Sequence, residues 1–140
     1  MNDNYAVHFK TRLRKAKAAS LALGSIFRRL PHLKVSTKLN ITRACINAVF
    51  LYGSEIGSKK DTEQTTESMN ILLRRHLRHI LCSKPSTANE TLHLDAGWNK
   101  VETEILIRKT KLYYEVSDGQ RGTLASEIAQ IAEARQTPWF

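Results

Sequence analysis

Apolar residues recur along this chain at intervals of three and four, the spacing of helices that bury one side. The first such segment extends from Tyr5 to Leu30 and is followed by Pro31, a residue that stops a helix. Its steps alternate between four and three over three heptads, as in a helix that packs along one seam. That seam consists of Phe9, Leu13, Ala16, Ser20, Leu23, Phe27 and Leu30. The pattern predicts one long amphipathic helix at the N-terminus.

The least polar segment, residues 39–56, predicts a central helix. Between Ala44 and Tyr52 only Asn47 is strongly polar, and a helix that is apolar nearly all round is normally buried on several sides. We expect Ser36 or Thr37 to cap its start and Gly53 or Gly57 to end it. One helical stripe holds Ile41, Cys45, Ala48, Val49 and Tyr52, and Ile46, Phe50 and Leu51 widen it.

The remaining elements are also helical in pattern. A third helix has the apolar stripe Met69, Leu72, Leu73, Leu77, Ile80 and Leu81. Thr87 and Glu90 fit a capping box that opens a short helix ending at Gly97. A fifth helix is supported by Val101, Ile105, Leu112 and Val116, with Leu106 and Tyr113 on a neighbouring face. We therefore expect an all-α single domain of five or six helices: a helical body over residues 1–116, then a turn and a C-terminal helix over 117–140, packed on that body.

Composition narrows the class of protein. Of 140 residues, 41% are hydrophobic and 25% charged, which is typical of a globular domain. The first ten residues lack the apolar run of a signal peptide, and no later segment has the apolar length of a membrane span, so we expect an intracellular protein, nuclear or cytoplasmic. Cys45 and Cys82 lie within apolar helical patterns, which favours reduced thiols in the core over a disulfide.

The net charge of +9 is concentrated at one end of the chain. Residues 1–43 hold ten Lys and Arg against one acid, Asp3, whereas the rest of the chain is balanced. A solvated helix face normally mixes signs, so this asymmetry favours a polyanionic partner over a merely solvated surface. Opposite the first seam lie Lys10, Arg14, Lys17 and Arg28, with Lys15 and Arg29 beside them. A second basic cluster ends the third helix: Arg74, Arg75 and Arg78.

Other chemistry is weakly supported. The acids are scattered, so no carboxylate set for metal-dependent nucleotidyl transfer is predicted, nor any catalytic residue or cofactor. His76, His79 and Cys82 are spaced three apart, which allows a zinc interpretation. Steps of three diverge on a helix and a fourth ligand is not evident, so ordinary helix histidines are favoured. We predict no metal site and no small-molecule substrate.

Four short motifs follow one another along the chain: HFKTRLRKA at residues 8–16, LYGSEI at 51–56, MNILLRRHLRHIL at 69–81 and LDAGW at 94–98. Together they resemble motifs of non-LTR retrotransposon reverse transcriptases. They are similar to an H-x-x-x-R-x-x-K-A segment, an L-Y-G-[AS]-E motif, an L-R-R-I-L helix and an E-L-G-W motif of that family. Two positions depart from it: Ala48 stands where Pro is frequent, and Gly57 where Trp is frequent.

The resemblance implies the helical thumb and connection that follow the polymerase palm. That region grips the template–primer duplex, an RNA–DNA hybrid or RNA duplex, and works with a palm domain that this sequence lacks. The matched basic positions are Arg12, Lys15, Arg74 and Arg75, while Tyr52, Gly53 and Trp98 are structural. The expectation is a non-catalytic fragment of a reverse transcriptase, inactive as a polymerase alone. The alternative is an inert retroelement relic or a helical protein-interaction module.

Overall fold

A computed structural model of the protein describes residues 4–55 and 59–117, and within them it contains five helices and no strand. Helix α1 is Asn4–Arg29, and α2 consists of Val35–Thr42, Arg43–Asn47 and Ala48–Leu51 in continuous succession. Helices α3, α4 and α5 are Lys59–Ile80, Asn89–Ala96 and Val101–Ser117. The all-α prediction is confirmed. The predicted turn and C-terminal helix beyond Ser117 lie outside the described residues.

The predicted seam of α1 forms one wall of the core. Phe9, Leu13, Ala16, Leu23 and Phe27 are buried, and α1 packs against both α2 and α3. From α3 the core receives Met69, Leu73, Leu77 and Ile80. The buried face of α3 meets the seam of α1 because both stripes keep the three-and-four spacing. Only Leu30, just beyond the helix, is exposed against expectation.

The predicted inner stripe of α2 is only partly confirmed, and a π turn is the reason. Cys45, Ala48 and Tyr52 are exposed, while Thr42, Ile46, Phe50 and Leu51 are buried. Residues Arg43–Asn47 form a π-helical turn, which accommodates one residue more than an α turn. Successive steps of four, from Thr42 to Ile46 to Phe50, consequently stay on one side. The helix is buried on one face and exposed on the other, not enclosed as predicted.

Several predicted helix ends shift. Helix α2 begins at Val35 after Lys34, and α4 begins at Asn89 after Ala88, and neither start has a side-chain cap. The predicted caps at Ser36 or Thr37 and the Thr87–Glu90 capping box are therefore wrong. Gly97 does end α4 in the left-handed conformation, and Gly53, just after α2, also has a positive φ.

The predicted core location of the two cysteines is also wrong. Both Cys45 and Cys82 are exposed free thiols. Cys45 lies on the outer side of the π turn, and Cys82 follows α3 with a φ of 51°, unusual for a residue with a side chain. Neither position requires a thiol for packing.

A buried amide joins α5 to α3. Asn70 accepts a hydrogen bond at Oδ1 from the backbone N–H of Val101 (3.1 Å) and donates from Nδ2 to Glu102 Oε1 (2.7 Å). The N–H of a helix's first residue has no partner within its own helix, so Asn70 satisfies a donor that would otherwise be unpaired. Helix α5 is thereby fixed at its start, which leaves its far half only lightly packed.

Candidate nucleic-acid interface

The outer face of α1 carries the basic stripe that the sequence predicts. Lys10, Arg14, Lys17 and Arg28 are all exposed, as are Lys15 and Arg29 beside them. Among the described residues no carboxylate forms a salt bridge with any of the six. At a rise of about 1.5 Å per residue, the stripe from Lys10 to Arg28 is about 27 Å long. Its positive charge is therefore unneutralised over the length of the helix. We call the four residues Lys10, Arg14, Lys17 and Arg28 the α1 basic face.

Apolar side chains interrupt the α1 basic face, a feature that sequence reasoning missed. Val7, Arg14, Leu21 and Arg28 follow one another at intervals of seven and so share one side of the helix. Leu21 is 77% exposed and Val7 60% exposed. Basic and apolar side chains therefore alternate along this side of the helix.

Arg12 lies at the corner between α1 and the end of α2. Its guanidinium lies over the ring of Tyr52, 4.4 Å from the centroid. His8, one turn earlier, has Nε2 3.2 Å from the carbonyl oxygen of Tyr52. A cation over an aromatic face is attracted by the ring's quadrupole, so Arg12 stabilises this corner. Of the predicted binding residues on α1, Arg12 is the one that the fold already uses.

The second cluster borders a groove of about 450 Å³ between the end of α3 and the start of α4. Arg74 forms a salt bridge with Glu67 (2.8 Å). Arg78 donates from Nη2 to the carbonyl of Thr87 (3.2 Å) and to Asn89 Oδ1 (2.9 Å). Arg75 is exposed. We call this space, lined by Ile71, Arg74, Arg75, Arg78, Pro85 and Asn89, the arginine groove.

The two basic regions point in different directions. Helices α1 and α3 turn their buried faces toward each other, and Ser20 and Phe27 of α1 both contact His76 of α3. Their exposed faces must then look away from each other. The structure does not bring the α1 basic face and the arginine groove together into one surface.

His76 lies where α1, α2 and α3 meet. Its Nδ1 is 3.2 Å from Ser20 Oγ, and its Nε2 is 3.1 Å from Thr42 Oγ1. The Thr42 hydroxyl donates to the carbonyl of Lys38 (2.8 Å), so Thr42 must accept the hydrogen from Nε2 of His76. Ser20 then donates to Nδ1, which fixes a neutral imidazole. Burial, reinforced by the nearby His79, lowers the pKa of His76 to about 4.

Because both ring nitrogens are hydrogen-bonded to side chains of other helices, His76 has a structural role and not that of a metal ligand. His79 and Cys82 are exposed, and Cys82 lies beyond the end of α3. Across the described part of the chain, no three His, Cys, Asp or Glu side chains are close enough to hold a metal ion. None of the helices in residues 4–55 and 59–117 is both long and apolar enough to cross a membrane.

A smaller cavity of about 230 Å³ lies between α2 and the start of α5. Arg43 of the π turn lies over the ring of Trp98, 5.5 Å from the centroid, and donates to the carbonyl of Gly97 (3.2 Å). These contacts hold the α4–α5 turn against α2. Trp98, expected to be structural, is buried here.

Comparison with known proteins gives no relative for this chain. No family model matches it, and no curated protein or solved structure matches it either.

Proposed function

We propose that the chain binds the backbone of a nucleic-acid duplex through the α1 basic face. The observation that carries the proposal is four exposed cations along about 27 Å of one helix, none of them paired with an acid among the described residues. A polyanion would release its condensed counterions on contact with such a face. The role agrees with the resemblance to the thumb of a non-LTR retrotransposon reverse transcriptase, which makes this a non-catalytic fragment of such an enzyme.

An RNA–DNA hybrid or an RNA duplex suits this surface best. A-form helices have a wide, shallow minor groove that displays phosphates and 2′-hydroxyls, and a straight basic helix can meet both. The α1 basic face has no aromatic side chain with which to stack unpaired bases. Phosphate contacts position a protein without reading sequence, as a polymerase thumb requires when it advances along its template. The exposed Leu21 and Val7 lie against sugar edges in this arrangement.

The salt dependence of binding tests the proposal. If four phosphates are neutralised, log K falls against log salt with a slope of about −3 to −4. Replacing both Arg14 and Lys17 with Ala flattens the slope by nearly two, because two contacts are lost. We would measure binding of a labelled RNA–DNA hybrid by fluorescence anisotropy from low to moderate salt, and helix content by circular dichroism.

A matched control separates site from net charge. The double variant Lys84→Ala/Lys100→Ala also removes two exposed cations, but from outside α1. We expect its slope to stay within a few tenths of wild type, since neither residue belongs to the face. Equal slopes for the two double variants, or no binding by the wild type at low salt, would contradict duplex binding by α1.

A protein-interaction module is the second candidate, and one observation favours it. The outer side of α5 exposes Leu106, Ile107, Tyr113 and Tyr114, and large apolar side chains clustered on a surface often mark a contact site. In the reverse-transcriptase interpretation this side would adjoin the missing palm domain. In the alternative it would be the main functional surface, and the α1 basic face would be inherited and inert.

The two candidates differ in which helix matters. Duplex binding depends on Arg14 and Lys17 and is unaffected by Leu106→Ser/Tyr114→Ser. An interaction module without nucleic-acid function shows no duplex binding in either background. The anisotropy measurement on these variants therefore distinguishes the two.

A further inference from the structure

The arginine groove has the features of a binding site in its own right. It lies between the last turns of α3 and the first residue of α4, Asn89, and its volume of about 450 Å³ is within the 300–1,000 Å³ range of small-molecule sites. Its position on the far side of α3 from α1 separates it from the α1 basic face. Nothing in the duplex proposal assigns it an occupant.

Its guanidinium groups are held in place yet retain free donors. Two hydrogen bonds, to the Thr87 carbonyl and Asn89 Oδ1, engage Nη2 of Arg78, and its Nη1 forms no hydrogen bond with any described residue. Arg78 Nε is buried without a hydrogen-bond partner. Arg75 forms no salt bridge with any described residue. A planar guanidinium presents donors that match the oxygens of a phosphate, so Arg75 and Arg78 are suited to hold one.

One acid, Glu67, neutralises part of the positive charge beside the groove. Glu67 pairs with Arg74, which leaves Arg75 and Arg78 as the unneutralised pair. No carboxylate is among the residues that line the groove. Of α4 only the first residue, Asn89, lines the groove, and Ala88 before it provides no side-chain cap. The groove therefore favours an anion.

The remaining lining residues are apolar, so the groove can also contact an uncharged part of a ligand. Ile71 is 47% exposed and faces the groove together with Pro85, so an apolar surface lies beside the guanidinium groups. A ligand with one anionic end and one flat, weakly polar end would use both. We propose that the arginine groove binds a nucleoside phosphate, with the phosphate on Arg75 and Arg78 and the nucleoside over Ile71 and Pro85.

Two sources can supply this chemistry, a free mononucleotide or the phosphorylated end of a single strand. The inference stands independently of duplex binding by α1, since the two surfaces share no residue. Either one can fail without the other.

The test uses four probes on the whole chain: AMP, adenosine, and a single-stranded RNA tetramer with and without a 5′-phosphate. Binding is followed by two-dimensional amide NMR, which reports dissociation constants and the residues affected. We expect AMP or the phosphorylated tetramer to shift amides near Arg75 and Asn89, while adenosine and the unphosphorylated tetramer do not. Arg75→Ala should weaken that binding about tenfold, the scale of losing one charged hydrogen-bond pair. Arg14→Ala, an equal charge loss on α1, should change it less than twofold.

Each outcome decides the matter. Binding of both phosphorylated probes, or of the tetramer alone, or of AMP alone, supports the groove and identifies which source it accepts. Equal binding with and without the phosphate would overturn the proposal. So would equal weakening by Arg75→Ala and Arg14→Ala, or no binding by any probe at low salt. Failure here with intact duplex binding refutes only the groove.

Discussion

The imidazole of His76 is a single side chain on which three helices converge. Sequence reasoning preferred an ordinary helix histidine over a zinc ligand at this position. It had no means of finding the hydrogen-bond partners, because Ser20 and Thr42 lie 56 and 34 residues away along the chain. Apolar spacing predicts which face of a helix is buried, but not which polar groups meet there.

Acid should destabilise the fold through His76. Its pKa is about 4 in the folded chain against an ordinary 6.5, so the unfolded chain binds a proton first as the pH falls. Stability from this residue is complete above pH 6.5 and is lost progressively down to pH 4. The loss amounts to at most about 3 kcal/mol, the free energy that corresponds to the difference in pKa. Urea unfolding at several pH values measures it.

Two variants test the assignment. His76→Gln keeps hydrogen-bonding capacity but cannot titrate, so its stability should vary less between pH 7 and 4.5 than that of the wild type. His32→Gln removes an exposed histidine and should leave the pH dependence unchanged. If both variants showed the wild-type slope, the acid sensitivity would belong to other groups.

At the scale of elements, two helices end in the same motif with different residues. After α3, Ser83 N–H bonds to the carbonyl of Arg78 (3.0 Å); after α4, Trp98 N–H bonds to that of His93 (2.9 Å). Both are six-to-one bonds that close a helix around a left-handed residue. That residue is Cys82 in one case and Gly97 in the other. The sequence predicts the end at Gly97 because glycine readily adopts the left-handed conformation that ends a helix. It gives no sign that a cysteine does the same at position 82.

Substitutions at Cys82 and Gly97 should change the stability of the fold in opposite directions. Cys82→Gly should stabilise the chain by about 1 kcal/mol, because a side chain in the left-handed region is strained by about that amount. Gly97→Ala should destabilise it by a similar amount for the same reason. Thermal unfolding of both variants beside the wild type measures the difference, with Cys45→Ala as the control for loss of an exposed thiol. Stabilisation by Cys45→Ala equal to that by Cys82→Gly would attribute the effect to thiol chemistry.

For the whole molecule, the sequence predicted the core more reliably than its polar connections. The seam of α1 and the stripe of α3 follow from apolar spacing alone, and both are buried as expected. The attachment of α5 depends on Asn70, which lies in one of the four motifs, but the motif gives no indication of this role. Long-range polar pairs depend on where helices come to rest, and periodicity along one helix carries no such information.

Because α1 and α3 share one core, truncating a single buried side chain of α1 should strongly destabilise the protein. Phe27 is 3% exposed and its ring centroid is 5.9 Å from that of His76, so Phe27→Ala leaves a cavity between α1 and α3. We expect a loss of about 3–5 kcal/mol, a large part of a small domain's stability. The neighbouring Ile26 is 45% exposed, so Ile26→Ala should cost less than about 1 kcal/mol. Similar urea midpoints for the two variants would contradict the packing of α1 on α3.

The π turn of α2 makes the number of residues, and not only their identity, a determinant of this fold. A deletion of Cys45 would remove an exposed side chain and no core atom. The π turn would then close into an ordinary α turn, and the two halves of the helix would keep their relative rotation. An inserted residue would instead rotate one half against the other by about 100°, so this turn tolerates the loss of a residue better than the gain of one.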